Sequence, residues 1–262
     1  MHTVAFANLK GGVGKSALLV LVARYLSATG NRVLVLDTDV QRSATFYFAQ
    51  DTDDTASKTL ANAIVSRSAK DNIIDSGPIH YLGSSLMLPD LRSIALSTLR
   101  ELLKPVAERY DFALIDTSPS LDNFVLSAIA AAQTVVVPVE YGQWPIHATA
   151  SFLEKVEREL QDLSDFASKK FLCVVNKVQV TSNEGPDSMN AQYRKLLASA
   201  VAPDIITPIE LRQSATVKRA LDTLEPISLA QDKAPVFNAV ADLCRLIVGR
   251  PLTNGDSSLT RF

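Results

Sequence analysis

Two lysines five positions apart bracket three glycines in Asn8-Leu9-Lys10-Gly11-Gly12-Val13-Gly14-Lys15-Ser16. Glycines between a strand and a helix let backbone N–H groups curl around an anion, and the helix N-terminus adds its dipole. Lys15 would then reach the β- and γ-phosphates of a nucleotide, and the Ser16 hydroxyl would ligate Mg²⁺. The nucleotide-binding run is Gly11, Gly12, Val13, Gly14, Lys15, Ser16 and Ala17. It departs from the usual G-x-x-x-x-G-K-[ST] string at its first position, where Leu9 stands, but the three glycines still supply the turn. One lysine suffices for a phosphate loop, so Lys10 needs a separate explanation.

Carboxylates at the ends of apolar runs are the second signal. Asp37-Thr38-Asp39 closes one such run and Asp116 closes another, Phe112-Ala113-Leu114-Ile115. In a parallel sheet, strand C-termini face the ligand crevice. One of Asp37 and Asp39 could hold a Mg²⁺ water while the other accepts a hydrogen bond from an attacking water. Asp116 has the placement of a carboxylate that holds Mg²⁺ through water. The turn Thr117-Ser118-Pro119-Ser120 that follows could sense a γ-phosphate. Asn176-Lys177 ends a further run, but the fourth position of an N-K-x-D guanine reader is Gln179. An Asn amide can instead pair with the amino group and ring nitrogen of adenine.

These groups need a scaffold that brings strand ends together. Residues 3–7, 32–36, 79–82, 112–115, 134–138 and 171–175 are short, continuous and rich in Val, Ile and Leu, as strands covered on both faces are. Helical patterns occupy 16–28, 57–67, 90–108, 121–131, 145–160 and 188–200, and 234–248 reads as a closing helix. That alternation predicts an α/β fold: one mostly parallel sheet with helices on both faces. Residues 1–250 form one domain in this reading. Residues 251–262 are a polar, frayed tail, and 50–57 and 182–187 are loops. The net charge of −2 gives no global attraction to nucleic acid or membrane, so either would need a local patch. Cys173 and Cys244 lie in apolar patterns without a C-x-x-C spacing, which points to buried thiols rather than metal ligands. With no charged-then-apolar leader and no run of ~18 apolar residues, a cytoplasmic location is expected.

Taken together, KGGVGKS at residues 10–16, DTDVQ at 37–41, ALIDTSPS at 113–120 and VVVPVE at 135–140 resemble the ParA/MinD family of deviant Walker ATPases. The resemblance spans nearly the whole chain and is closer to the ParA, or Soj-like, branch, although Val40 stands where that branch commonly has proline. It implies a P-loop NTPase fold, ATP and Mg²⁺ as cofactors, and a nucleotide-sandwich homodimer. Lys10 would then reach the partner's phosphates, as a lysine counterpart of an arginine finger; such fingers are worth about 10³–10⁵ in rate. By the same resemblance Asp39 would position the lytic water, with Asp37 nearer the metal, and the base would be adenine, beside Asn176 and Pro208.

The resemblance also implies nonspecific DNA binding. A basic interlude supports it: Arg194-Lys195, then Arg212, Lys218 and Arg219, the last three on or near one face if a helix spans 211–221. The function it implies is an ATP switch that binds DNA, loads a partition complex or other cargo, and is reset by a ParB-like or other small stimulating partner. Nucleoid association would accompany the ATP-bound state. A MinD-like membrane switch would need a basic amphipathic C-terminal helix; residues 251–262 begin with Pro251, contain Gly255 and offer Leu252, Leu259 and Phe262 as large apolar groups, so stable membrane binding is not expected. Positioning of a protein cargo is the remaining alternative. The P-loop starts almost at Met1, so no separate DNA-reading domain is expected before it.

Overall fold

Runs of Val, Ile and Leu with no polar face have nowhere to sit but the middle of a sheet covered on both sides. The computed structural model describes residues 1–49, 57–75, 77–91, 94–179, 185–223 and 235–249. Its strands are β1 (His2–Phe6), β2 (Val33–Asp37), β3 (Ile79–Leu82), β4 (Phe112–Asp116), β5 (Thr134–Val139), β6 (Lys170–Val178) and β7 (Ile206–Arg212). They pair in the order β3-β2-β4-β1-β5-β6-β7, parallel throughout. Every residue of β2, β4 and β5 is buried.

Alternate side chains feed two cores. On one face Val4, Phe6, Val35, Leu114 and Val136 pack under α1 (Lys15–Ala28) and α9 (Pro235–Ile247). On the other, Ala5, Leu36, Ile115 and Val137 pack under α4 (Thr98–Leu103), α5 (Asn123–Ala131) and α6 (Gln143–Leu160). The remaining helices are α2 (Ser43–Phe48), α3 (Leu60–Ser66), α7 (Met189–Ala200) and α8 (Ala215–Asp222). Register carries the site. Phe6 of β1 and Asp37 of β2 both pair with Asp116 of β4, so three strands end level on one edge of the sheet.

Several elements differ from the sequence reading. The helix expected over 90–108 is broken into a 3-10 turn at Leu88–Leu91, α4, and a second 3-10 turn at Lys104–Val106. Pro105 has no N–H for an α-helical bond, which ends α4. The helix expected from residue 57 starts at Leu60, because the Thr59 hydroxyl accepts from Asn62 N at 3.2 Å and caps it there. Residues 206–212 have no strand assigned from the sequence, and Ile206-Thr207-Pro208 opens β7; a proline is tolerated because β7 is an edge strand with register irregularities. Consequently Arg212 ends a strand and does not share the helix of Lys218 and Arg219. Helix α2 was not expected at all. Residues 50–56, 182–184 and 250–262, which include most of the two expected loops and the tail, lie outside the described residues. Both thiols are buried, which pushes Cys173 up to about 12 and Cys244 higher still. Among the described residues no helix is long and apolar enough to cross a membrane.

Candidate functional site

The loop after β1 is tied down at its first residue. Asn8 is fully buried, and its amide donates to the Pro138 carbonyl at 2.8 Å and to Thr149 Oγ1 at 2.9 Å. Its Oδ1 accepts from Lys10 N at 3.2 Å. The loop therefore leaves the sheet braced against β5 and α6. Gly12 (φ +77) and Gly14 (φ +91) both sit in the left-handed region. Helix α1 opens at Lys15 with Gly14 as its N-cap and no side chain capping it. Its first-turn N–H groups thus remain available to an anion.

Burial separates the two lysines of the loop. Lys15 is 7% exposed, and its ammonium donates to the carbonyls of Asn8 at 3.1 Å and Lys10 at 3.3 Å. Burial lowers its pKa, against the charges of Asp116 and Asp39, which raise it. Lys10 instead reaches outward to Glu140 Oε2 at 3.1 Å, with 35% of its side chain exposed.

The aspartates also divide. Asp37 is buried and already committed: Oδ2 accepts from Thr45 N at 2.8 Å and Thr45 Oγ1 at 2.7 Å, and Oδ1 from Asp39 N at 3.0 Å. It holds the first turn of α2. Burial pushes its pKa up to about 6, with those hydrogen bonds opposing. Asp39 accepts from Gln41 N at 2.9 Å. Asp116 is 0% exposed and faces the Ser16 hydroxyl, yet neither of its oxygens receives a hydrogen bond of ordinary geometry. Burial first, then the Asp37 charge, raises its pKa well above the carboxylate range. A buried carboxylate with orphaned oxygens beside a hydroxyl is the donor set a hydrated divalent cation would complete, so Ser16 and Asp116 fit Mg²⁺. Asp37 fits it less well because its oxygens are spent on α2.

In the turn after β4, Thr117 is buried and donates to the Phe6 carbonyl at 2.8 Å, linking β4 to β1. Ser118 and Ser120 hydroxyls lie 2.7 Å apart, and Ser120 leads to Asp122, the cap of α5. A Cβ on Gly11 would meet Pro119 at 3.9 Å, so this turn lies against the phosphate loop.

Asn176 reaches the loop too. Its Nδ2 donates to the Val13 carbonyl at 2.8 Å and its Oδ1 accepts from Lys177 N at 2.9 Å. It acts here as a strut under the loop, leaving one N–H for a base. Beside it lies a cavity of about 150 Å³, lined among others by Gly14, Ala17, Asn176, Arg212, Gln213 and Val217. It adjoins the loop and has room for a base. Pro208 is not part of it, being exposed in the middle of β7.

The basic interlude is dispersed. Arg194 is bound to Glu210, at 2.5 Å and 2.7 Å, and stacks toward Tyr141. Arg212 and Lys218 border the cavity, while Lys218 and Arg219 are exposed on α8. Glu140 and Lys177 were quoted in the sequence motifs but given no role there. A carboxylate closing β5, like Asp116 closing β4, was the available signal.

A family model for an AAA domain matches residues 1–167. The chromosome-partitioning ATPase Soj of Thermus thermophilus is 32% identical over 163 residues, which cover 60% of this chain. The aligned part spans 62% of that relative's length. The cell division protein PomZ of Myxococcus xanthus is 26% identical over 94% of this chain and 77% of its own. Among solved structures, an ATP complex of a McdA variant from Cyanothece superposes with a TM-score of 0.82 at 19% identity, covering 97% of this chain and 99% of that one. With the two-lysine loop at the head of an all-parallel sheet and a family match over most of its length, the chain belongs to the ParA/MinD family of P-loop ATPases.

Proposed function

We propose that this chain is an ATP-switched homodimeric ATPase of the ParA type, which binds DNA nonspecifically, carries a cargo and is reset by a stimulating partner. The observation that carries this reading is the contrast between the two lysines. Lys15 is folded into its own loop, whereas Lys10 sits at the loop's mouth on a partly exposed salt bridge, free to be exchanged for a partner's phosphates.

In this reading the left-handed turn at Gly12–Gly14 and the uncapped start of α1 hold the phosphates by their N–H groups. Lys15 needs only to leave two carbonyls to meet the β- and γ-oxygens. Ser16 and Asp116 would hold Mg²⁺, which would supply charge neutralisation at those oxygens. Asp39, anchored through Gln41 N, orients the attacking water. Lys10 from the second copy stabilises the charge that builds on the leaving phosphate. The base sits in the cavity beside Ala17 and Gln213.

The test is light scattering coupled to gel filtration. The turnover-blocked Asp39→Ala chain with ATP and Mg²⁺ is expected to run as a dimer. A sample that stays monomeric at high concentration removes the sandwich. The DNA arm rests on Arg212, Lys218 and Arg219, since Arg194 is held by Glu210. Because those are few cations, the alternative of positioning a protein cargo stands beside it. DNA affinity with a steep salt dependence favours the first, and DNA binding no stronger than that of the triple Ala variant favours the second.

A further inference from the structure

Glu140 is shared by two ammonium groups. Its Oε2 lies 3.1 Å from Lys10 Nζ and its Oε1 lies 2.9 Å from Lys177 Nζ. Lys177 also donates to the Gly12 carbonyl, within the phosphate loop itself. Its backbone is left-handed at φ +55, a conformation that non-glycine residues rarely adopt. The chain thus accepts local strain at the residue whose side chain joins the loop to Glu140. Both lysines pull Glu140 below its ordinary pKa, so it stays ionised between them.

Resting on the ATPase reading above, we propose that Lys177 is a positioning residue for Lys10: it holds Glu140 as the resting counter-charge of Lys10, and it keeps that carboxylate neutralised once Lys10 leaves for phosphate. Like charges repel most where water is scarce. When Lys10 departs, Glu140 would stand as a bare anion at the mouth of a site receiving a triphosphate. Lys177 can then take both carboxylate oxygens while still gripping Gly12. Glu140, Lys10 and Lys177 are 23%, 35% and 45% exposed, so water can stand in for a lost partner and the fold does not hinge on this trio. The same exposure bounds the effect through solvent screening.

The experiment compares ATP and ADP affinities by calorimetry, with Mg²⁺, for the full chain and for Lys177→Met, Lys177→Arg, Glu140→Gln and the double Lys177→Met/Glu140→Gln. Trp144, the chain's one tryptophan, is 86% exposed four residues beyond Glu140 and gives a second readout of the same titrations. Lys177→Met should weaken ATP roughly threefold to tenfold and ADP by about twofold or less, because the γ-phosphate adds the charge nearest the mouth. Glu140→Gln in the Lys177→Met background should restore ATP affinity to within about twofold of wild type, and Lys177→Arg should keep it. A structural pin on Gly12 alone would leave the double variant as weak as the single one, and that result overturns the proposal. So does a Lys177→Met chain that binds ATP like wild type. Should Met unfold the end of β6, Lys177→Asn tolerates left-handed backbone and repeats the comparison. A wild-type chain that binds no ATP overturns the reading of the site itself, which separates that failure from failure of the Lys177 role.

Discussion

Gly12 and Gly14 share a left-handed backbone but differ in what surrounds them, and alanine at each should separate the two costs. A Cβ on Gly12 meets nothing within 4 Å, while one on Gly14 would lie 2.3 Å from Asn176 Nδ2. For Gly12→Ala the left-handed penalty is about 1–2 kcal/mol, offset by about 0.4–1 kcal/mol from a less flexible unfolded chain. The net loss is then about 1 kcal/mol. Gly14→Ala carries the same loss and must also expel the Asn176 amide from the Val13 carbonyl, which removes a partly buried hydrogen bond worth about 0.5–1.5 kcal/mol. Residual overlap adds to this, so the total is about 2–4 kcal/mol. In a chain of this size that lowers the thermal midpoint by roughly 2–4 °C per kcal/mol.

The assay is thermal unfolding of both variants, of Asn176→Ala, and of the Gly14→Ala/Asn176→Ala double, with and without ATP and Mg²⁺. Asn176→Ala removes the atom in the way, so the double variant should lose less than the sum of the singles by about 1 kcal/mol. Gly14→Ala should also lose the stabilisation that nucleotide confers, since the strut and the turn both shift. Equal midpoints for the two glycine variants, or strict additivity in the double, would refute the claim that Asn176 props the loop through the space Gly14 leaves.

Lys15→Ala should abolish ATP binding by calorimetry, since it removes the buried ammonium held on the Asn8 and Lys10 carbonyls at the head of α1. Lys10→Ala should bind ATP normally yet lose partner-stimulated phosphate release; an unaltered response removes the cross-dimer role. Asp116→Asn should raise the ligand-free thermal midpoint near neutral pH, by removing an unpaired buried carboxylate, and should abolish the Mg²⁺ dependence of nucleotide affinity. For pH, Asp37 is raised from 3.8 to about 6, so its contribution is full below pH 4 and lost as pH rises through about 6. Melts of the ligand-free chain from pH 4.5 to 7.5 should therefore show a falling contribution of about 3 kcal/mol at most, smaller in Asp37→Asn.

What could be read from the sequence was what is chemically local. The phosphate loop, the strands and the carboxylates that end them each follow from a few consecutive residues, and the register of β1, β2 and β4 brings them level. The missed features depend on residues far apart in the chain. Pro208 argues against a strand over 206–212 until β7 is known to be an edge strand, where its missing N–H costs nothing. The strut from Asn176 to the Val13 carbonyl, through the space that the absent Cβ of Gly14 leaves, has no signature in the residues around either position. The helix over 90–108 has the right apolar spacing, and only Pro105 argues for its end. Glu140 pairs with Lys10 from 130 residues away, which no spacing rule reports.

Charge balance links the lysines, the cation and the second copy. In the resting chain Lys10 and Lys177 face Glu140, and Lys15 faces Asp39 and a Asp116 carboxyl pushed toward its neutral form. Two ammonium groups share the one Glu140 carboxylate and Lys15 lies in the field of Asp39, so much of the resting positive charge is already offset when a triphosphate enters. Lys15 can be released to it because its present partners are carbonyls, not carboxylates. The remaining phosphate charge then needs cations from outside the resting set. Ser16 and Asp116 would hold a divalent ion that meets part of that need. In the proposed dimer Lys10 would meet the rest from a second subunit, because among the described residues its ammonium is held by a partly exposed salt bridge to a carboxylate that Lys177 can keep.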